Sequence, residues 1–290
     1  MNTIQLRAHA KINLYLDILG IQKDGYHQLD MVNAKLSLHD LITCTLIPQR
    51  TIELTCNHSS IPTDSRNTAF QAASRFLEQT RTKSGVCIHI DKRIPHGAGL
   101  GGGSSDAAVV LQAMNLLTNM RLPPEKLTQI AAGIGADVPF FLKEGCCYVG
   151  GKGEKVVKIS THISLMTSPL FVVLCSPSVH ISTKEAYALW DRSETKTHSQ
   201  PAALIQSLNG GQRDSLPNHL FNSFEAVLFP AHPAIRQAND VFASLSPTKP
   251  LLTGSGSNLF SLHGCRTEAE DVRGRLLTEG YPSQVCELRL

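Results

Sequence analysis

Five glycines crowd the seven positions from Gly97 to Gly103, interrupted only by Ala98 and Leu100. Ser104, Ser105 and Asp106 follow, and then the helix-like run AAVVLQAMNLL. Glycine loses more conformational entropy on ordering than any other residue, so a dense cluster implies that side chains would obstruct something. What usually needs such room is a phosphate chain, wrapped by backbone N–H groups at the positive end of a helix. The segment therefore points to a nucleoside triphosphate site. A flexible linker is the bland alternative, disfavoured by the helix-forming residues that follow at once and by Ser104, which is placed to cap them.

Spacing separates three versions of a phosphate loop. A Walker A loop requires Lys-Ser or Lys-Thr directly after its last glycine, whereas Gly103 precedes two serines. A dinucleotide fingerprint is formally present as Gly97, Gly99 and Gly102. It should turn straight from strand into helix, but DKRIPHGA intervenes after the last strand-like residue, Ile90. The third version is P-x-x-x-G-L-G-G-G-S-S, present from Pro95 to Ser105, and it resembles the phosphate loop of the GHMP kinases (galactokinase, homoserine, mevalonate and phosphomevalonate kinases).

At 290 residues the chain is long enough for one large or two modest domains. A formal charge of +3 is too small to indicate nucleic acid, and suits small anions held by local clusters such as Lys92 and Arg93. The most apolar stretch, Leu170 to Cys175, is strand-sized, so no membrane partner is expected. The N-terminus alternates like a strand and has no signal-peptide core. The eight cysteines are scattered without a C-x-x-C pair and read as small core residues of a cytoplasmic protein. The twelve histidines lack ligand spacing, so Mg2+ is expected to arrive with the nucleotide and not on a protein-held site.

Residues 6–16 alternate, with Ile12, Leu14 and Leu16 on one face and Lys11, Asn13 and Tyr15 on the other. Further strands are predicted over 36–47, 51–56, 86–90, 170–175 and 284–288, with a hairpin around GGKG. Helices are predicted over 67–79, 104–117, from Pro123 to Gly133, 183–190, 219–228 and 233–245, and from a capping box at 267–270. Residues 191–216 read as a variable excursion around one short helix. The pattern predicts an α+β protein of two lobes, 1–160 carrying the glycine loop and 161–290, with a ligand cleft between them.

A kinase needs a carboxylate for the acceptor hydroxyl and positive charge over the transferring phosphoryl group. Asp137 lies between a Gly/Ala-rich helix end and the apolar VPFFL, where an unpartnered carboxylate is costly; function and an N-cap role both remain open. Lys11 is the matching cation, with an ordinary solvent-facing lysine as the alternative. Tyr26 and His27, after Asp24 and Gly25, suit either a decorated turn or a site.

AKINLYLDILG, GYHQLDMV, the glycine loop, GADVPFF and TGSGSNLF occur in this order over essentially the whole chain. Together they resemble one branch of the GHMP kinases, which acts on a cytidine diphosphate sugar alcohol in isoprenoid precursor synthesis. The resemblance implies a two-lobed fold, with a ribosomal-protein-S5-like N-terminal lobe and a ferredoxin-like C-terminal lobe, and ATP-dependent phosphorylation of the substrate's 2-hydroxyl. Asp137 would accept or orient the hydroxyl proton, Lys11 would stabilise developing negative charge, and Asn13 would position the same end of the substrate. Tyr26 would stack on the cytosine and His27 would read its edge. Thr183, Gly254, Ser255 and Gly256 would approach the substrate. Pro95, Gly97, Gly99, Leu100, Gly101, Gly102, Gly103, Ser104, Ser105 and Asn67 would serve the nucleotide. Gln71, Asp106 and Asn258 depart from the family pattern, and put only outer ligand contacts in doubt. Competing readings are a mevalonate- or homoserine-type kinase, a catalytically silent sugar-phosphate sensor on the same fold, and an NAD-dependent oxidoreductase.

Overall fold

The computed structural model describes residues 2–290, which form two compact units, each assembled from three separate stretches of chain. The first takes the N-terminal segment ending at Ala10, Leu38–His96 and Gly101–Glu144; the second takes Lys11–Ser37, Gly97–Leu100 and Gly145–Leu290. Two long strands, β1 (Thr3–Ile21) and β2 (His27–Ile47), each contribute residues to both units.

In the first unit the Leu38–Ile47 end of β2 pairs antiparallel with β4 (Gly85–Asp91), from Leu41 opposite Asp91 to Ile47 opposite Gly85. β3 (Ile52–Cys56) runs parallel to β4 on its other edge, with α1 (Thr68–Thr80) as the crossover that a parallel pair requires. Ala69, Ala72, Ala73, Phe76 and Leu77 make up the buried stripe of α1, at the spacing of one helix face. That face packs along α2 (Gly102–Leu117), and α3 (Pro124–Ala132) and α4 (Val138–Phe141) pack against α2 in turn. Between Ser105 and Met114 every residue of α2 except Gln112 is buried, so this helix lies inside the unit.

In the second unit β5 (Cys147–Gly151) and β6 (Lys155–Lys158) form the hairpin expected around Lys152, and β5 pairs antiparallel with residues 29–33 of β2. α5 (Ile163–Thr167) leads to β7 (Phe171–Cys175), the central strand of this unit. α6 (Thr183–Arg192) and α7 (Ala202–Gly210) follow, and then a 3-10 helix at Arg213–His219. The two-residue β8 (Phe221–Asn222) lies parallel to β1, with Tyr15 opposite Phe221. After α8 (Glu225–Ala231) and α9 (Pro233–Leu245) come β9 (Leu251–Leu252), β10 (Leu259–His263), α10 (Arg266–Thr278) and β11 (Ser283–Arg289). β7 pairs antiparallel with β10 on one side and β11 on the other, and β11 reaches β2 through Leu288 and Arg289.

Several expectations change in detail. The helix expected over 219–228 is instead the end of the 3-10 turn, a two-residue strand and the start of α8, because Asn222 accepts the N–H of Phe224 and breaks the periodic run. The capping box at 267–270 does not form; α10 starts at Arg266 with Cys265 as an N-cap that makes no side-chain bond. Ser104 does not cap α2, which already begins at Gly102 behind Gly101 in the left-handed conformation at φ 67°. The polar face of β1 does not meet solvent: Lys11 is 4% exposed, and Asn13 and Tyr15 are fully buried. No helix among the described residues is long and apolar enough to cross a membrane.

Asn67 is the N-cap of α1, its Oδ1 accepting the Ala69 N–H at 2.8 Å while its Nδ2 donates to the Pro62 carbonyl at 2.7 Å. Asn67→Ala removes both bonds and is expected to cost about 0.5–2 kcal/mol of folding stability by urea denaturation. Asn67→Asp, which keeps the cap acceptor, should lose clearly less; equal losses would show that the cap contributes nothing.

Candidate active site

Three glycines of the loop hold the left-handed backbone that other residues avoid: Gly97 at φ 68°, Gly99 at 73° and Gly101 at 67°. Gly102, Gly103 and Ser104 form the first turn of α2. Their N–H groups precede the first intrahelical bond, Ser105 N–H to Gly101 O, and so offer donors to an anion. Of the two serines Ser104 is half-buried, whereas Ser105 is 1% exposed and belongs to the packed interior. Thr68 at the start of α1 donates its hydroxyl to Gly103 O at 2.7 Å, tying one helix start to the other.

Beneath this turn sits a buried ionic triad. The Lys92 ammonium lies 2.6 Å from Asp40 Oδ2 and 2.8 Å from Asp106 Oδ2, and all three side chains are buried. Asp40 Oδ1 also accepts the backbone N–H groups of Arg93 and Ile94 at 2.5 and 2.8 Å, fixing the approach to the loop. A Cβ at Gly102 would come within 3.0 Å of Lys92 Nζ, so the glycine leaves room for the triad. Burial pushes the Asp106 carboxyl up to about 7, against the attraction of Lys92 and with the Asp40 charge raising it further. Burial opposes the Lys92 charge, but its two carboxylates outweigh that and hold its pKa above the ordinary lysine value. Asp106 is thus an internal partner of Lys92 that supports the loop from below.

In the second unit the loop residues 97–100 pack against the other glycine turn. A Cβ at Gly99 would stand 2.4 Å from the Thr253 carbonyl oxygen, and one at Gly254 would stand 3.2 Å from Gly99 O. The Lys11 N–H donates to Leu100 O at 2.9 Å, anchoring the loop to β1. The 253–258 turn is closed by Thr253 N–H to Asn258 O and held from outside by Asn222, whose Nδ2 donates to Leu252 O at 2.7 Å and Gly254 O at 2.9 Å. Glu225 Oε1 accepts the Leu252 N–H at 2.8 Å, and burial pushes its carboxyl up to about 7. The Thr183 and Ser255 hydroxyls lie 3.1 Å apart, so two residues singled out in the sequence meet here.

On β1 the Lys11 ammonium donates to Asn13 Oδ1 at 2.6 Å, and Asn13 Nδ2 donates to Asn33 Oδ1 at 2.7 Å. A lysine can only donate, which fixes the orientation of the Asn13 amide and passes that constraint on to Asn33. Asn33 escaped the sequence reading, although its signal was present: one amide in the apolar run MVNAKL, where an unpartnered polar group is costly. Gly25, at φ 83°, turns the chain so that Tyr26 is 61% exposed and His27 opens β2. The Lys152 ammonium, paired with Asp24, lies 4.4 Å from the centre of the Tyr26 ring. The His27 ring stacks on Tyr187 at 4.2 Å and meets the edge of Trp190 at 5.7 Å. Tyr187 was also missed, since STKEAYALW reads only as an amphipathic helix until its fold partner is known.

Asp137 is the residue before α4 and makes no side-chain cap bond, so the N-cap alternative is not realised. It lies in the first unit, and Lys11 in the second. Among the described residues no group of three or more His, Cys, Asp or Glu side chains is arranged to hold a metal ion.

A glycine-rich loop of bare backbone opening a buried helix fits a small-molecule kinase of the GHMP class, as do the relatives of this chain. Residues 67–145 match the model of the GHMP kinases N terminal domain. A relative from Caldicellulosiruptor bescii, named 4-diphosphocytidyl-2-C-methyl-D-erythritol kinase, is 35% identical over 94% of each chain. One of the same name from Exiguobacterium sibiricum is 35% identical over 99% of this chain and 98% of its own. A crystal structure of 4-(cytidine 5'-diphospho)-2C-methyl-D-erythritol kinase superposes with a TM-score of 0.81 at 29% identity, covering 99% of this chain and 100% of that one. The homoserine kinase of Cytophaga hutchinsonii, 18% identical with a TM-score of 0.77 over 100% of this chain and 95% of its own, shares the fold. The chain belongs to the 4-diphosphocytidyl-2-C-methyl-D-erythritol kinase family of GHMP kinases.

Two predictions concern the supports of the site. Lys92→Met leaves two buried carboxylates uncompensated and should lower stability by about 3–5 kcal/mol in urea. Arg93→Met, which breaks an exposed pair with Asp91, should change it by less than about 1 kcal/mol. Similar effects would contradict the buried triad. For Glu225 the folded pKa lies above the unfolded one, so the neutral form favours folding. Its contribution is full below about pH 4.5 and is lost as pH rises towards 7. Glu225→Gln should therefore be relatively more stable at pH 8 than at pH 4.5 when each is compared with wild type. An unchanged pH profile in thermal unfolding would rule this out.

Proposed function

We propose that the chain transfers the γ-phosphoryl group of ATP to the 2-hydroxyl of 4-diphosphocytidyl-2-C-methyl-D-erythritol, releasing ADP, the 2-phosphate and a proton. The observation that carries this reading is the presence, with a GHMP-type glycine loop, of an exposed Tyr26 beside a His27 ring that stacks on Tyr187. A nucleobase needs such aromatic faces, and mevalonate and homoserine do not.

Each residue has a role consistent with its surroundings. The N–H groups at the start of α2 and the bare backbone at Gly97, Gly99 and Gly101 receive the phosphates, with the Ser104 hydroxyl beside them. Lys11, desolvated and held by Asn13, supplies positive charge that water does not screen. Asp137 takes or orients the proton of the attacking hydroxyl. Thr183 and Ser255 offer paired hydroxyls to the substrate, and Gly254 and Gly256 keep the turn beside them open. Asn67 serves the nucleotide side by fixing the start of α1, whose Thr68 holds Gly103. Mg2+ arriving with the nucleotide would supply positive charge to its phosphates, and the Ser104 hydroxyl is the hard donor of this chain that would suit it.

ADP release is expected with the cytidine diphosphate sugar alcohol in the presence of ATP and Mg2+. Turnover of mevalonate or homoserine without turnover of that alcohol would overturn the assignment. Asp137→Asn should reduce kcat by about 10²–10⁴-fold, the usual scale of general acid–base assistance, with little change in KM. A reduction confined to KM would make Asp137 a binding residue only.

A further inference from the structure

Three side chains of α6, Tyr187, Trp190 and Asp191, are spaced i, i+3 and i+4 and therefore share one helix face. All three meet His27. Tyr187 stacks on its ring at 4.2 Å and 26°, Trp190 presents its edge at 5.7 Å, and Asp191 Oδ1 lies 2.7 Å from Nε2. The two rings and the carboxylate fix the plane, tilt and rotation of the imidazole, leaving it only 15% exposed.

The chemistry of the contact also decides where the proton sits. An ionised carboxylate can only accept, so a neutral His27 must carry its hydrogen on Nε2. Nδ1 then bears a lone pair, and among the described residues it makes no hydrogen bond within the protein. From this we infer that Asp191 is a specificity-determining positioning residue, which locks His27 in the Nε2–H tautomer so that Nδ1 accepts from a pyrimidine bearing an exocyclic amino group. The inference rests on the functional reading above, in which His27 faces the base. A cytosine amino group is a donor and complements that lone pair. The uracil oxygen at the same ring position is an acceptor and would meet it lone pair to lone pair, an unpaired polar contact that a site built to hydrogen-bond rejects strongly. Without Asp191 the imidazole is free to move its hydrogen to Nδ1 and accommodate the oxo pyrimidine.

The test compares the cytidine substrate with its uridine counterpart. Wild type should prefer the cytidine compound. Asp191→Ala should lower the cytidine-to-uridine ratio of kcat/KM by about tenfold or more, the scale of one net hydrogen bond. The change should appear in KM for the alcohol, with kcat and KM for ATP little altered, and Asp191→Glu should recover part of the ratio. Nitrogen-15 chemical shifts of His27 in the free enzyme should show protonated Nε2 and bare Nδ1 in wild type, and mixed tautomers in Asp191→Ala. An unchanged ratio, an equal loss on both substrates, or a wild-type His27 protonated on Nδ1 would each overturn the role of Asp191 while leaving the kinase reading intact. A wild-type enzyme that phosphorylates neither pyrimidine substrate would instead overturn the functional reading, and the specificity role with it.

Discussion

The backbone at Gly99 runs so close to the Thr253 carbonyl that a single added carbon would stand 2.4 Å from it, and much of the second unit is organised around that approach. Two glycine turns, 97–100 and 253–258, can lie against each other only because neither has side chains at the contact. Around them the remaining bonds fall into place. Leu100 O is taken by the Lys11 N–H, Gly254 O by Asn222, and the Leu252 N–H by Glu225. The loop is therefore a pre-formed cradle. Pre-organisation of this kind matters for phosphoryl transfer, where the protein contributes mainly position and electrostatic stabilisation.

Two lysine side chains are held out of water. Lys11 in the second unit and Lys92 in the first are both buried, and both are held by short hydrogen bonds. Their partners differ. Lys92 faces two carboxylates and is a structural counter-ion, whereas Lys11 donates to the neutral amide of Asn13 on β1.

Periodicity was a good guide to element type. The helices at 233–245 and 104–117 and the strands at 86–90 and 170–175 appear with ends moved by two residues or fewer, since their apolar spacing serves both local and tertiary demands. Failures arise where a tertiary bond outweighs a local signal. The serine and threonine at 104 and 267 had the chemistry of caps, but Gly101 and Cys265 took those places, and Asn222 broke a periodic run in order to hold two carbonyls of the facing turn. The alternation of β1 was read correctly, yet its polar side is as buried as its apolar side. Both compact units also interleave three stretches of chain, an arrangement that no shift in composition marks.

What the sequence by itself determined is a bare-backbone glycine loop opening a helix, a family signature in five ordered motifs, and the element types that periodicity enforces. These are local properties, written in residues close together along the chain. Only the tertiary structure decided that Asn13 and Asn33 hold Lys11, that Lys92, Asp40 and Asp106 form a buried triad under the loop, and that one face of α6 clamps His27. Those contacts join residues up to 164 positions apart, as His27 and Asp191 are. Their partners are selected by burial, since a charged or amide group removed from water must find a hydrogen bond wherever the fold brings one.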